Sequence, residues 1–334
     1  MSAVLTVVLT ITVMRSGSPF GGSTSSTNSA PPIDLSKKGN AKLKLTSPTS
    51  GTVFQGGTFE ASGAIQVPTT EGIYFVDNGK SKEIFWLPLD QSGKQTGAIK
   101  PIAFGAQLED PESIAYGGSF FYVMSSLSYP EAGDKNCLIR FALDPLTQNL
   151  QGQAEVMTGI REFLIENVAE LKAAAGLAYD KGGINIEGMA WDAVHDRLLL
   201  GFRSPTVNGN ALLVPIKLRD PRGAFSTQNL ISEPAIQISL GGLGIRDIAH
   251  DSRGGVFLII AGSTAQGEAK EFGLFEWTGE TDPTKPDAVP HELTKLDQKM
   301  KPEGVTRVKI GGRDFLIVTG DASSYLKLDL LEGQ

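Results

Sequence analysis

The sequence has little of what metal sites and catalytic triads are usually built from. Its 334 residues include one cysteine, Cys137, and three histidines. A single cysteine excludes a disulfide framework and a zinc site built on cysteines. The histidines are scattered, with His195 and His250 in or next to turns, so a histidine-based metal site or triad is not expected. No G-x-S-x-G nucleophile elbow and no EF-hand loop occurs.

Basic charge and long apolar runs are also scarce. Lys and Arg number 30 against 37 Asp and Glu, which gives a net charge of −7 and argues against a nucleic-acid binder. The apolar run at residues 3–14 is shorter than the roughly 20 residues of a membrane span, so we expect no integral membrane domain. It fits the apolar region of a secretory signal, although no basic residue precedes it. We therefore expect residues 1–15 to be a signal peptide and the protein to be secreted or periplasmic. A core strand or a short anchor is the alternative, and a cytoplasmic location is not excluded.

Glycine is abundant, with 39 residues, and part of it falls in residues 16–40, which are rich in Ser, Gly and Pro. That segment has no apolar period and cannot bury enough surface to offset the entropy of ordering, so it is predicted to be a flexible linker. The folded domain is predicted to cover residues 41–334.

A short motif recurs at intervals of roughly 50 to 75 residues. It pairs a charged residue with a β-prone run: Glu60-Ala-Ser-Gly-Ala, Glu112-Ser-Ile-Ala, Glu187-Gly-Met-Ala, Arg246-Asp247-Ile248-Ala249 and Glu303-Gly-Val-Thr. Each motif is followed by a turn and a second apolar strand, at 72–79, 119–126, 197–204, 255–262 and 314–321. A third strand follows at 83–90, 136–144, 211–218, 272–279 and 325–330, and a weaker fourth at 99–105, 153–159, 235–241 and 291–297. Four-stranded units at this period are typical of a β-propeller.

The last unit lacks a fourth strand, and residues 41–48 form an unpaired strand before the first. Supplying the outer strand of the last blade from the N-terminus would close the ring. We therefore predict an all-β fold, a single five-bladed propeller, with six blades as the alternative. Apolar residues at helical spacing predict one inserted amphipathic helix near 160–176. It either packs over a blade edge or forms a lid over the channel mouth.

In a propeller blade the first strand lines the central channel, so the start of strand one and the end of strand two meet at the same mouth. The predicted ligand-binding residues at that mouth are Glu112, Glu187, Arg203, Arg246, Asp247, Glu303, Asp77 and Asp321. Carboxylates gathered near one axis repel each other, so their pKa values rise unless a cation intervenes. That cation is either an arginine or a Ca²⁺ ion held by Glu112, Glu187 and Glu303. Alternatively, each glutamate caps backbone amides of a neighbouring blade.

The chain resembles a bacterial family of unknown function, domain of unknown function 3616, over roughly Phe59 to Leu330. The matching segments are Glu112-Ser-Ile-Ala, Asn185-Ile-Glu-Gly-Met-Ala-Trp191, Leu199-Leu-Gly-Phe-Arg-Ser-Pro205, Leu243-Gly-Ile-Arg-Asp-Ile-Ala249, Ile260-Ala-Gly-Ser-Thr264 and Pro302-Glu-Gly-Val305. More loosely, the repeats are similar to phytase-like propellers of esterase-like type. The resemblance implies a propeller and often an exported protein, but no established activity.

Three functions are consistent with these features. The leading hypothesis is an exported propeller that binds a small polar or anionic ligand at the acidic mouth, with Arg203 and Arg246 holding the anion. The first alternative is a Ca²⁺-assisted hydrolase of phosphoesters or esters, in which a metal-bound water attacks. The second is a protein-interaction scaffold that uses a blade face and binds a partner protein.

Overall fold

The computed structural model of the chain describes residues 43–46, 50–68, 70–144, 147–264, 271–282 and 284–331. The predicted signal peptide at 1–15 and the predicted linker at 16–40 lie outside these residues. Among the described residues, no helix is long and apolar enough to cross a membrane.

Five antiparallel sheets follow one another along the chain, and together they form the five blades of a β-propeller. A two-residue strand, β1 (Thr52–Val53), comes first and belongs to the last blade. The first blade contains β2 (Ala61–Ile65), β3 (Gly72–Asp77), β4 (Glu83–Pro88) and β5 (Lys100–Ala103). The second contains β6 (Pro111–Gly117), β7 (Phe120–Ser125), β8 (Leu138–Leu143) and β9 (Leu150–Met157). The third contains β10 (Asn185–Asp192), β11 (Arg197–Val207), β12 (Asn210–Leu218), β13 (Leu230–Ser232) and β14 (Ile236–Ile238). The fourth contains β15 (Gly244–Asp251), β16 (Val256–Gly262), β17 (Phe272–Trp277) and β18 (His291–Leu296). The fifth contains β19 (Pro302–Ile310), β20 (Arg313–Gly320), β21 (Ser324–Asp329) and β1.

The all-β fold, the five blades and the four-stranded sheets are therefore as the repeat predicts. The third blade departs from the pattern because two short outer strands, β13 and β14, both pair with β12. Pro234 lies between them and has no N–H to donate, which interrupts the outer strand. The sequence pattern predicts only the second of these two pieces.

The outer strand of the fifth blade comes from the N-terminal part of the chain. Thr52 pairs with Tyr325 and Val53 with Ser324. Earlier in the chain, Leu45 forms an isolated bridge with Leu330. The strand that pairs with the fifth blade thus lies later in the chain than the predicted strand at 41–48. Of that predicted strand, residues 41, 42, 47 and 48 lie outside the described residues.

The continuous apolar runs of the strands arise because both faces of a sheet pack against neighbouring blades. Each hydrophobic cluster joins two adjacent blades, as where Val76 of the first blade and Val123 of the second share one cluster. Each sheet therefore buries the side chains on both of its faces, which is why the strands do not alternate between apolar and polar residues.

The insertion between the second and third blades begins with helix α1 (Ile160–Asn167). It is shorter than the predicted 160–176, because Val168 is extended and ends the helix before a 3-10 turn at Ala169–Leu171. This break buries both Val168 and Leu171 in the cluster between blades two and three. The other short 3-10 helices are Pro130–Lys135, Tyr179–Lys181, Thr227–Asn229, Pro286–Ala288 and Gln298–Met300.

Arg161 of α1 fixes the position of the insertion. Its buried guanidinium donates from Nε to the carbonyl oxygen of Leu127 at 3.2 Å and from Nη2 to that of Ala175 at 2.9 Å. Leu127 is the second residue after β7, so the insertion packs at the end of the propeller where the second strands finish and the inner strands begin. The structure therefore places the helix over the edge between two blades at the predicted mouth.

Candidate functional site

Every inner strand carries a β-bulge at the same place near its start. The register with the second strand shifts between Ser62 and Ala64, Pro111 and Ser113, Ile186 and Gly188, Ile245 and Asp247, and Pro302 and Gly304. The residues carried on the bulges are Gly63, Glu112, Glu187, Arg246 and Glu303. A bulge bends the strand and redirects its side chain. The recurring motif of the sequence is therefore a recurring bulge, and four of the five bulges present a charged side chain.

The first blade corrects the predicted alignment. Its bulge residue is Gly63, whereas Glu60 precedes β2 and is exposed. Gly63 has φ +44°, and a Cβ there would lie 3.0 Å from the carbonyl oxygen of Glu112 and from the amide nitrogen of Ile114. Only glycine fits this close approach, so the ring of charged side chains is open on the side of blade one.

Arg246 lies between two carboxylates from the neighbouring blades. Its Nε is 3.0 Å from Oε2 of Glu187, and its Nη2 donates to Oε1 of Glu303. Arg203 donates from Nη1 to Oε1 of Glu187 at 2.9 Å and from Nε to the carbonyl oxygen of Ser263 at 3.0 Å. Burial raises the pKa of Glu303 to about 7, although the adjacent guanidinium of Arg246 opposes that rise. Both predicted arginines are thus already engaged by carboxylates.

Glu112 also lies on a bulge, but the ion pairs and hydrogen bonds of Arg246 to bulge carboxyls within the described residues go to Glu187 and Glu303. Burial, reinforced by the charges of Asp110, Glu187 and Glu303, raises its pKa well above the ordinary value. Its Oε2 is buried and has no hydrogen-bond partner within the part of the chain that the structure describes. Such atoms are rare in folded proteins because an unpaired buried polar group is costly.

Four further side-chain atoms in the described part of blades two and three share that property, Ser113 Oγ and Glu187 Oε2 among them. Ser128 Oγ and Asn185 Oδ1 are buried without a hydrogen-bond partner among the described residues. They belong to neighbouring segments, since the Ile186 N–H donates to the carbonyl oxygen of Ser126 at 2.8 Å. The edge between blades two and three near Glu112 therefore contains several buried polar atoms that have no hydrogen-bond partner among the described residues.

An aromatic pair lies close to these carboxyls. The rings of Tyr129 and Tyr179 are 5.9 Å apart at an interplanar angle of 57°, and Tyr129 is 36% exposed. Burial raises the pKa of Tyr129 to about 12, and the charges of Asp110 and Glu112 contribute to that rise. Asp110, Tyr129 and Tyr179 are not among the predicted site residues. Tyr129 is the fourth residue after β7 and could have been found by extending the polar residues at the end of strand two, whereas Tyr179 carries no such signal.

Asp247 has a structural role in the contact between blades. It is fully buried, and its Oδ2 accepts the backbone N–H of Val305, in the neighbouring blade, at 2.7 Å. Burial raises its pKa well above the ordinary value, and backbone hydrogen bonds oppose that rise. The capping contact that the sequence suggests for the glutamates is thus made by the residue after the bulge.

The two remaining predicted residues lie at different places. Asp77 accepts the N–H of Gly79 at 2.9 Å within its own turn, and burial raises its pKa. Asp321 lies close enough to Glu303 for its charge to contribute to the raised pKa of that residue. It also accepts from Lys301 Nζ at 2.5 Å.

No group of three or more Asp, Glu, His or Cys side chains is placed to hold a metal ion among the described residues. Arg246 instead bridges two of the three predicted ligands, Glu187 and Glu303. The guanidinium supplies there the positive charge that the clustered carboxylates require. Calcium binding by Glu112, Glu187 and Glu303 stays a prediction.

The model of the family described as "Protein of unknown function (DUF3616)" matches residues 158–328, which is more than half of the chain. The chain belongs to this family. The match includes three of the four charged bulge residues, Glu187, Arg246 and Glu303, so the ion-paired half of the site lies within it. No curated protein matches the sequence significantly.

Several solved structures are similar to the chain at low identity and with TM-scores below 0.5. A glucose dehydrogenase is 12% identical with a TM-score of 0.47, and the alignment covers 86% of this chain and 100% of that one. Glutaminyl cyclase from Myxococcus xanthus is 12% identical with a TM-score of 0.44, covering 87% and 98%. An exo-beta-1,3-galactanase from Phanerochaete chrysosporium is 10% identical with a TM-score of 0.44, covering 86% and 65%.

Proposed function

We propose that this protein binds a small polar ligand at the carboxylate end of the propeller, between Glu112 and the aromatic pair of Tyr129 and Tyr179. The observation that carries the proposal is the buried Oε2 of Glu112, which has no hydrogen-bond partner among the described residues. Buried polar atoms are almost always hydrogen-bonded, to protein, water or ligand. A ligand with several hydrogen-bonding groups would supply partners for the buried polar atoms of Glu112, Ser128 and Asn185.

The charges of the site favour a neutral ligand over an anion. Arg203 and Arg246 already pair with Glu187 and Glu303, so an anion would have to displace a carboxylate to reach either guanidinium. The raised pKa of Glu112, caused by burial, favours the protonated carboxyl, which both donates and accepts hydrogen bonds. Tyrosine rings beside such a group provide an apolar face. Together these features suit a hydroxyl-rich molecule, such as a sugar or polyol, better than a phosphoester.

The test is a binding screen with matched neutral and anionic probes. Ligand-observed NMR with glucose, galactose and inositol, against glucose 6-phosphate and inositol phosphate, would measure which class binds. We expect a neutral probe to bind, Glu112→Ala to weaken binding at least about tenfold, and Glu112→Gln to weaken it less because an amide both donates and accepts. Glu292→Gln on the exposed outer strand β18 is the matched control and should leave binding unchanged.

Two results would contradict the proposal. One is binding of the phosphorylated probes alone, which would favour an anion site at the arginines. The other is a neutral probe whose affinity is the same for the wild-type protein and for a folded Glu112→Ala variant. Circular dichroism and thermal melting of each variant establish that the fold is retained.

A further inference from the structure

A cavity lies between blades two and three, toward the end of the propeller opposite to the carboxylates. Its volume is about 200 Å³. It is lined by Gly118, in the turn between β6 and β7, and by Asp196, in the turn between β10 and β11. Glu112 and Glu187 lie at the other ends of β6 and β10, and a strand of that length spans roughly 20 Å. The cavity is therefore separate from the site described above.

The walls of this cavity are mainly aromatic. Tyr122 and Trp191 stack with ring centroids 5.7 Å apart and an interplanar angle of 7°, and Phe225 lies 6.5 Å from Tyr122. All three line the cavity, as does Phe120. Trp191 and Phe120 are only partly buried, so aromatic surface faces the cavity opening.

Gly117 fixes the position of the tryptophan. A Cβ at residue 117 would lie 2.0 Å from Cγ of Trp191, so the indole lies directly against the glycine backbone. This contact holds the ring in the wall of the cavity and keeps the space next to it open.

Arg140 adds a planar cation to the same wall. Its guanidinium lies 4.4 Å from the ring centroid of Phe225 and 5.1 Å from that of Phe120. Its Nε and Nη2 both donate to the carboxylate of Glu155, at 2.6 and 3.1 Å, which holds the group in place. Guanidinium planes and aromatic rings both stack on planar π-systems.

We infer that this cavity binds a small planar aromatic molecule of one or two rings. An enclosed cavity of about 150 Å³ is large enough for benzene, so this one has room for a substituted ring. The exposed Asp196 at the opening is placed to accept a hydrogen bond from a hydroxyl or amino substituent of the ligand. The occupant is thus a phenol-like or aromatic-amine-like compound.

The probes for the test are 4-methylphenol and 4-methylcyclohexanol, which have the same substituents and differ in aromaticity. Titration calorimetry should show that the wild-type protein binds 4-methylphenol, and that it binds the saturated analogue about fivefold more weakly because stacking on the aromatic walls is lost. Leu218→Trp places an indole into the cavity and should reduce 4-methylphenol binding at least about tenfold. Val289→Trp, at a position 60% exposed in another blade, is the matched control and should not change binding.

Absence of 4-methylphenol binding to the wild-type protein at millimolar concentration would overturn the inference, as would equal binding of both probes. Unchanged binding to a folded Leu218→Trp variant would also overturn it. If that variant does not fold, Phe225→Ala serves instead; it removes one wall and should weaken 4-methylphenol binding about fivefold, and unchanged affinity would contradict the assignment. Glu112→Ala should leave 4-methylphenol binding intact, which separates this site from the one at the carboxylate end.

Discussion

The guanidinium of Arg246 donates to the carboxylate of Glu303, although the two residues belong to neighbouring blades and are both buried. Each sits on the bulge of its inner strand, so the ion pair joins equivalent positions of successive repeats. Glu187, on the bulge of the preceding blade, lies with its Oε2 3.0 Å from Nε of the same guanidinium. One cation therefore balances carboxylates from the blades on either side of it.

Removing Arg246 is expected to be strongly destabilising. In Arg246→Met, Glu303 would lose its cation and Glu187 would keep only Arg203, while both carboxyls remain buried. Breaking a buried ion pair in this way costs about 3–5 kcal/mol. The free energy of unfolding from chemical denaturation would measure the loss. The double variant Arg246→Met/Glu303→Gln also removes the carboxylate of Glu303, which would otherwise lack its cation. It should therefore recover part of the lost free energy of unfolding.

Arg253→Met is the control for that experiment. Arg253 pairs with Asp314 on the surface, where its side chain is 33% exposed, and such pairs contribute about 0–1 kcal/mol. Equal losses in Arg246→Met and Arg253→Met would show that the buried cluster does not depend on its cation.

Stability should fall as the pH rises across the titration of Glu303. Its pKa is about 7 in the folded protein against an ordinary value of 4.5, so the folded chain keeps a proton that the unfolded chain has released. This contribution is complete below about pH 4.5 and is lost as the pH rises to about 7. Because a tenfold change in proton affinity corresponds to about 1.4 kcal/mol, the loss is on the order of 3 kcal/mol. The raised pKa values of Glu112 and Asp247 act in the same direction.

Glu303→Gln provides the comparison, because the amide cannot titrate. Denaturation at pH 5 and pH 7.5 should show a smaller decrease in unfolding free energy for this variant than for the wild-type protein. Glu292→Gln, on the exposed face of β18, should retain the wild-type decrease. A decrease that is identical in Glu303→Gln would show that other groups account for the pH dependence.

The architecture could be predicted because each repeat consists of β-strands that are recognisable as apolar runs in the sequence. Continuous apolar runs such as that of β16 are required wherever both faces of a sheet are covered by neighbouring blades, and turn residues separate them at regular intervals. The helix boundary at Val168 could not be predicted in the same way, because the break is decided by burial of Val168 and Leu171 between two blades. Helical periodicity alone continues through it.

The site residues that could be predicted from the sequence are those that belong to the recurring motif. Glu112, Glu187, Arg246 and Glu303 share a motif, and the structure brings the last three together. Glu60 was wrongly aligned with them because the bulge position of blade one is a glycine and leaves no side chain to recognise. Tyr179 reaches the site from an insertion that occurs in a single blade, so no repeat signals it.

Gly117→Ala should destabilise the protein through a steric clash. The added Cβ would lie 2.0 Å from the Trp191 ring, which would have to leave its stack with Tyr122. Overpacking of this kind costs about 1–3 kcal/mol, and the displaced indole should change the fluorescence spectrum. Gly176→Ala is the matched control, since a Cβ there meets no atom within 4 Å. Similar melting temperatures for the two variants would contradict the assigned packing of Trp191.

The thiol of Cys137 should be inert in the native protein. The residue is fully buried, and burial, with a smaller contribution from the charge of Asp134, raises the pKa of the thiol to about 12. The thiolate is the reactive species, so a thiol that is both inaccessible and protonated reacts slowly. Ellman's reagent at pH 8 should therefore react at least about 100-fold more slowly with folded than with denatured protein. The signal is unambiguous because the chain has no other cysteine, and Cys137→Ala gives the background. Fast reaction of the folded protein would mean that the loop before β8 opens under native conditions and would contradict the closed packing of blades one and two around Cys137.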